Sequence, residues 1–506
     1  MNVAFDPWIP VVSMEGDREL ISLHQVFTEG EKYADLAVRP HERVSLMRLF
    51  MCIAHAALDG PKDYDEWCEV PKRLPHAASD YLHNWKDSFE LFHPEKPWLQ
   101  VGELKPSKNN DEKSFTPLAK LDFAMASGVA ATIFDHAGSI ERSFDYSQLI
   151  LGLIGIQNFS TCGLLSRPLW NGTACPNSAK DAPCITSSML HVFLQGKHVL
   201  EAICLNLCDY EELSLLFKSV AEGTDWVGKP VWEIMPKEVN DVRTTKTYLG
   251  RLVPISRAIL FEQNKTYMLY GEGLRYPVFP DFPQEAQCSV AIKKIKEKEE
   301  RVLVGAKQWM RPWRQLDAIL QFNLPKKNSS SALSLSHLDG KAVDIWIGTL
   351  LRNPGKQDII DSVESRFHIP TNLRTQQGCS SYSQEVKKAE QMANKLSKAA
   401  YVYRIEIDPS NDTGLGASAT NNYWTSVEKN LSLLMSHIEA IGSEEAMPTR
   451  EIWRKMLFRA ALDAYSTACG QETPRQMRAF AKGWRVLTNK KDKTESDINI
   501  KEEVNV

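Results

Sequence analysis

Four apolar stripes in the last quarter of the chain constrain its fold most. Val386, Ala389, Ala393, Leu396, Ala400 and Tyr403 recur at alternating steps of three and four residues. Trp424, Val427, Leu431, Leu434, Ile438 and Ile441 repeat the spacing, with Gly442 as a stop signal. Trp453, Leu457, Ala460 and Ala464 form a third stripe closed by Gly470, and Met477, Phe480, Trp484 and Leu487 a fourth. Such steps line up side chains on one face of an α-helix. Four of these helices joined by polar loops predict a four-helix bundle over 371–490, with Asp408 to Gly416 as its clearest connector. The polar stretch 491–506 is expected to be a disordered tail.

Residues 1–370 are patterned differently. Val192-Phe193-Leu194 and Tyr267-Met268-Leu269-Tyr270 read as strands, Leu149 to Ile156 fits strand or helix, and Val44 to Leu58 reads as a core helix. Proline and glycine punctuate Leu165–Pro183 and Gly271–Pro283, which are expected to be surface loops. The mixture predicts a large α+β N-terminal domain whose loops carry the function.

Net charge is −4 over 506 residues, split as −6 for 1–370 and +2 for 371–506. A free-standing, non-specific DNA binder is strongly basic, because phosphate neutralisation carries its affinity. Any nucleic-acid contact here must therefore use a local patch or basic partners. The ten cysteines include no CxxC pair, and Cys204 and Cys208 sit in an apolar run without a second pair to complete a zinc site. Free thiols in a reducing cytoplasm are expected, with no metal and no cofactor. The start, Met1-Asn2-Val3-Ala4-Phe5-Asp6, lacks the charged and apolar regions of a signal peptide.

Enzyme signatures fail on inspection. Gly223-Thr224-Asp225-Trp226-Val227-Gly228-Lys229-Pro230 approaches a phosphate-binding loop, but Pro230 stands where a hydroxyl must hold magnesium. No HExxH or GxSxG occurs. Asp135-His136 reverses the order of the metal-binding His-Asp dipeptide, and His55 on its apolar helix reads as a core histidine. A catalytic role is not expected.

The segment Arg352-Asn353-Pro354-Gly355-Lys356-Gln357-Asp358 runs into Ile359-Ile360-Asp361-Ser362-Val363-Glu364-Ser365, read here as a short amphipathic helix. Its Pro-Gly turn projects Lys356, Gln357 and Asp358 on a stiff stem. Those groups suit reading or wedging rather than bond cleavage. A plain turn at the start of a helix is the alternative.

A resemblance rests on an ordered set of segments. Phe5-Asp6-Pro7-Trp8-Ile9-Pro10-Val11 is followed by Arg39-Pro40-His41-Glu42-Arg43, then Phe89-Glu90-Leu91-Phe92-His93-Pro94-Glu95-Lys96-Pro97-Trp98. Ser127-Gly128, Thr132-Ile133-Phe134-Asp135-His136 and the Asp361–Ser365 segment complete it. From about residue 3 to 490 the chain resembles the CasA family, the large subunit of the type I-E Cascade complex of CRISPR immunity. The resemblance implies a non-catalytic subunit that finds the protospacer-adjacent motif in duplex DNA, helps open the duplex for guide-RNA pairing and docks a separate helicase–nuclease. Other Cascade subunits and guide RNA are the implied partners. The family's wedge glutamine matches Gln357, flanked by Lys356 and Asp358; inserting a side chain at a base step costs a few kcal/mol of unstacking. Its glycine-bearing minor-groove loop matches Ser160-Thr161-Cys162-Gly163, where only Gly163 remains glycine. Ser160 and Thr161 could hydrogen-bond base edges or phosphates there. Its complex-facing loop matches Phe134-Asp135-His136, with Phe134 either docked on a partner, stacked on a base or buried. Its basic finger matches Arg275, with Lys265 as runner-up. An assembly scaffold without sequence reading is the alternative function.

Overall fold

The helix Pro40–Leu58 organises the N-terminal unit of the computed structural model. Proline at its first position and Glu42, which accepts the Arg39 backbone N–H at 2.8 Å, fix its start; Asp59 in the left-handed region (φ 47°) ends it. Nearly every residue from His41 to Leu58 is buried, so the helix is wrapped on all sides. The structure describes residues 1–107, 115–125, 135, 142–220, 225–262, 266–295, 298–320, 330–337, 342–353, 356, 358–410 and 414–488. They fall into two compact units, Met1–Ile369 and Pro370–Val506.

In the first unit the described strand pairs are antiparallel. Ile9–Ser13 lies between Arg18–Ile21 and Tyr33–Leu36. Val343–Arg352 lies between His191–Leu194 and Ile359–Ile369, and Tyr267–Glu272 between Arg257–Phe261 and Phe115–Pro117. Leu149 to Ile156 belongs to a buried helix, Tyr146–Phe159, started by Asp145 and Gln148 in a reciprocal cap. With the helical second unit this is the α+β architecture expected.

The Asp361–Ser365 segment is not a helix. It belongs to the strand Ile359–Ile369, which pairs with Val343–Arg352 from Ile369↔Val343 to Ile359↔Arg352. Val363 and Ile369 are buried while Glu364, Arg366 and His368 are exposed, a period of two that the β-branched residues favour. The two strands therefore form a β-hairpin, whose paired ends are Arg352 and Ile359. The punctuated stretches are also less superficial than expected: Trp170, Cys175, Leu274, Tyr276 and Phe282 are buried anchors within them.

Inside the wrapped helix, Arg48 is fully buried. Its guanidinium donates to Glu285 Oε2 at 3.0 Å and to the carbonyls of Leu252 and Arg251. Arg251 donates to Glu285 Oε1 and to the carbonyls of Thr245 and Pro277. Burial alone would raise the Glu285 carboxyl, but Arg251 and Arg48 hold it below its ordinary value. His55 donates Nδ1–H to the Gly60 carbonyl at 2.9 Å, and burial pushes its imidazole down to about 4. It is a core histidine. Among the described residues no helix is long and apolar enough to cross a membrane.

The second unit contains the helices Gln376–Ile407, Leu415–Lys429, Leu431–Glu439, Ala446–Ala468 and Pro474–Thr488. The first and third stripes are buried as read. The second predicted helix is divided at Asn430, which shifts its inner face to Tyr423 and Val427, then Leu434 and Ile438. In the last helix Ala479, Gly483 and Leu487 face inward, while Met477 is exposed and Phe480 and Trp484 flank the seam. The helix comes so close to its neighbours that a Cβ on Gly483 would lie 2.0 Å from the Tyr465 hydroxyl and 2.6 Å from the Ala399 carbonyl.

Four outcomes are expected. Glu285→Ala leaves two arginines buried without a carboxylate and should cost about 3–5 kcal/mol, read as faster hydrogen exchange of the Pro40–Leu58 amides. The same contribution is complete above the ordinary glutamate value of 4.5 and is lost as pH falls through the lowered folded value. Gly483→Ala should lower the thermal midpoint through overpacking of roughly 1–3 kcal/mol. By contrast Gly416→Ala, on the first turn of the helix Leu415–Lys429 with Ser397 Oγ as nearest neighbour at 3.5 Å, should raise the thermal midpoint slightly, by less than the roughly 1 kcal/mol of a helix-interior position.

Candidate nucleic-acid interface

At the hairpin tip, Asn353 N–H donates to the Asp358 carbonyl at 2.9 Å and Lys356 N–H to the Asn353 carbonyl at 3.0 Å. These bonds close the loop and leave Lys356 and Asp358 exposed. Pro354, Gly355 and Gln357 lie outside the described residues. The register slips between Leu351 and Arg352. Such a bulge re-aims the following side chain.

Arg352 makes use of that position. Its Nε donates to the Lys356 carbonyl at 2.5 Å, Nη1 to Asp181 Oδ2 at 2.6 Å and Nη2 to Cys162 Sγ at 3.3 Å. Its backbone N–H donates to Ser188 Oγ at 2.9 Å. Asp181 Oδ1 in turn accepts the Cys162 backbone N–H at 2.7 Å. Burial works against the charge on Arg352, but Asp181 outweighs it and raises the guanidinium pKa. One side chain thus ties the hairpin tip to the segment Ser160–Gly163, two loops far apart in sequence.

That segment has a second tie beneath it. Arg257, buried, donates to the carbonyls of Thr161 at 2.7 Å and Lys180 at 2.9 Å, and to Glu272 Oε2 at 3.1 Å. Glu272 Oε1 accepts the Lys180 backbone N–H at 2.9 Å and faces Arg275 Nε at 3.4 Å. Arg275 also donates to the Ser178 carbonyl at 3.0 Å and is 45% exposed. Burial pushes the Glu272 carboxyl up despite these cations. Gly163–Leu164 pairs with Ser178–Ala179, so the ribbon held from below by Arg257 and Glu272 is held from the side by Arg352.

The structure thus brings together Lys356, Asp358, Thr161, Cys162, Gly163 and Arg275. Ser160 is different. It is buried at the end of the Tyr146–Phe159 helix, with its Oγ 3.4 Å from Ser256 Oγ. Its hydroxyl cannot reach a base edge or phosphate there, because the helix end it terminates packs into the core. Asp135 is half-buried and paired with Arg142 at 2.6 Å. Phe134, His136 and Lys265 lie outside the described residues. Exposed Lys180, with Lys356 and Arg275, gives the frame three surface cations. Sequence reasoning missed Arg352, Asp181, Arg257, Glu272 and Lys180. Arg352 had a signal in its place directly before the Pro-Gly turn; the others had none.

Residues 2–464 match the family model for CRISPR-associated protein Cse1. CasA/Cse1 of Thermus thermophilus is 25% identical over 495 residues, 92% of this chain and 91% of that protein. The crystal structure of Thermus thermophilus CasA superposes with a TM-score of 0.76 at 21% identity, covering 96% of this chain and 98% of that one. A chain of a structure described as a CRISPR RNA-guided surveillance complex superposes with a TM-score of 0.74 at 16% identity, covering 97% and 99%. The chain belongs to the CRISPR-associated protein Cse1 family.

Proposed function

We propose that the chain is the non-catalytic large subunit of an RNA-guided CRISPR surveillance complex, acting with its other subunits and guide RNA. In this reading the Lys356–Asp358 tip and the Thr161–Gly163 segment read a short tag in duplex DNA and start its opening. Docking of a separate helicase–nuclease in trans belongs to the same reading. The observation that carries it is the Arg352 fork, which fixes the two loops as one unit. A wedge can act on a chosen base step only if its distance from the groove-reading segment is set in advance. Lys356, Lys180 and Arg275 supply a local basic patch on a chain of net charge −4, so subunits and guide must supply the wider electrostatics. Phosphate contacts would position the frame, and backbone at Gly163 and the tip side chains would lie closest to the bases.

The alternative is a scaffold that never reads DNA. The assembled complex separates the two in gel shifts on duplexes that differ only in the tag. Gln357→Ala and Lys356→Ala should leave assembly intact and reduce strand opening, measured by permanganate reactivity of unpaired thymines. Unchanged tag preference and opening in both variants would establish the scaffold. Arg352→Ala should weaken binding to tagged duplex by roughly tenfold, about 1.4 kcal/mol. Arg352→Lys should not restore it, because a lysine lacks the planar fork that serves three partners.

A further inference from the structure

A second cluster, distinct from the hairpin, joins Asp209, Glu212 and His337. Asp209 caps the helix Tyr210–Phe217, Glu212 lies on its first turn, and His337 follows the short turn Leu333–Leu335. Their ligand atoms lie within 4.8 Å of one another. His337 Nε2 is 2.7 Å from Glu212 Oε2 and 3.7 Å from Asp209 Oδ2. The imidazole is 4% exposed, and neither its Nε2 nor Glu212 Oε2 has a hydrogen-bond partner of acceptable geometry among the described residues.

The other atoms of these groups are committed. Asp209 Oδ1 accepts the Glu212 backbone N–H at 2.8 Å, and the Ser336 hydroxyl donates to Glu212 Oε1. The His337 ring stacks on Trp67 at 4.5 Å, and the Trp67 indole N–H is fixed by the Leu207 carbonyl at 2.8 Å. Each group is thus oriented by a second contact and turns one remaining donor atom to a shared point, as metal ligands are.

We propose that Asp209, Glu212 and His337 bind one divalent transition-metal ion. A nitrogen donor with two carboxylates suits zinc and its neighbours and disfavours magnesium or calcium. The ion fastens the Ser336–His337 segment to the Tyr210–Phe217 helix, with its remaining positions open to water.

The test uses the purified full chain, stripped with chelator and titrated with zinc chloride. Calorimetry and metal analysis should find about one saturable Zn2+ per chain, and the thermal midpoint of the unaltered protein should rise on zinc addition. Glu212→Gln, which preserves shape, should lower the affinity at least about tenfold, and His337→Ala should abolish saturable binding. Absence of saturable zinc in the unaltered chain, equal affinity in Glu212→Gln, or equally tight binding of magnesium would overturn the proposal.

Discussion

Glu285, held between Arg48 and Arg251, is the interaction on which the N-terminal unit depends. Two guanidiniums and one carboxylate in the interior cost several kcal/mol each in lost hydration. That cost is offset only because every arm of the two forks finds a partner. The partners beyond Glu285 are the carbonyls of Arg251 and Leu252, which end the helix Tyr248–Leu252, and of Thr245 and Pro277, which lie outside helices and strands. A buried loop must pair its backbone acceptors with something other than a ladder. Here arginine side chains supply the missing donors.

The same device recurs outward from the core. Arg43 serves Asp35 and the Leu36 carbonyl; Arg257 serves Glu272 and the carbonyls of Ser256, Thr161 and Lys180. Arg352 is the last of the series, 20% exposed, serving Asp181, Cys162 and the Lys356 carbonyl. A lysine could not replace these residues, since five donors in a plane are what reach several acceptors at once. The hairpin tip and the Ser160–Gly163 segment are accordingly placed by forks anchored in the scaffold.

This explains what was legible in the sequence and what was not. The Val386–Tyr403 stripe was readable because local periodicity and burial agree along one long helix. The Met477–Leu487 stripe misled because close approach puts Ala479 and Gly483 at the seam, and large residues there would not fit. The hairpin was hidden by its turn: Pro-Gly suits the start of a helix as well as a strand connection, and the alternation Val363 to Ile369 was the better signal. The resemblance pointed to the tip residues. Their supports could not, because Arg352 and Asp181 are 171 residues apart and each alone reads as an ordinary surface charge.

Exposure also orders the strength of these ties. Glu285 is fully buried, so its pairs act in a low dielectric and break only with the unit. Arg257 and Glu272 are equally dry. The Arg352–Asp181 pair meets solvent on both members, and a pair of that kind contributes on the order of 1 kcal/mol or less. Two backbone hydrogen bonds, the Arg352 N–H bond to Ser188 and the Arg352 fork are the described ties at the tip. The frame is therefore stiff beneath the ribbon and weakest where the hairpin meets it.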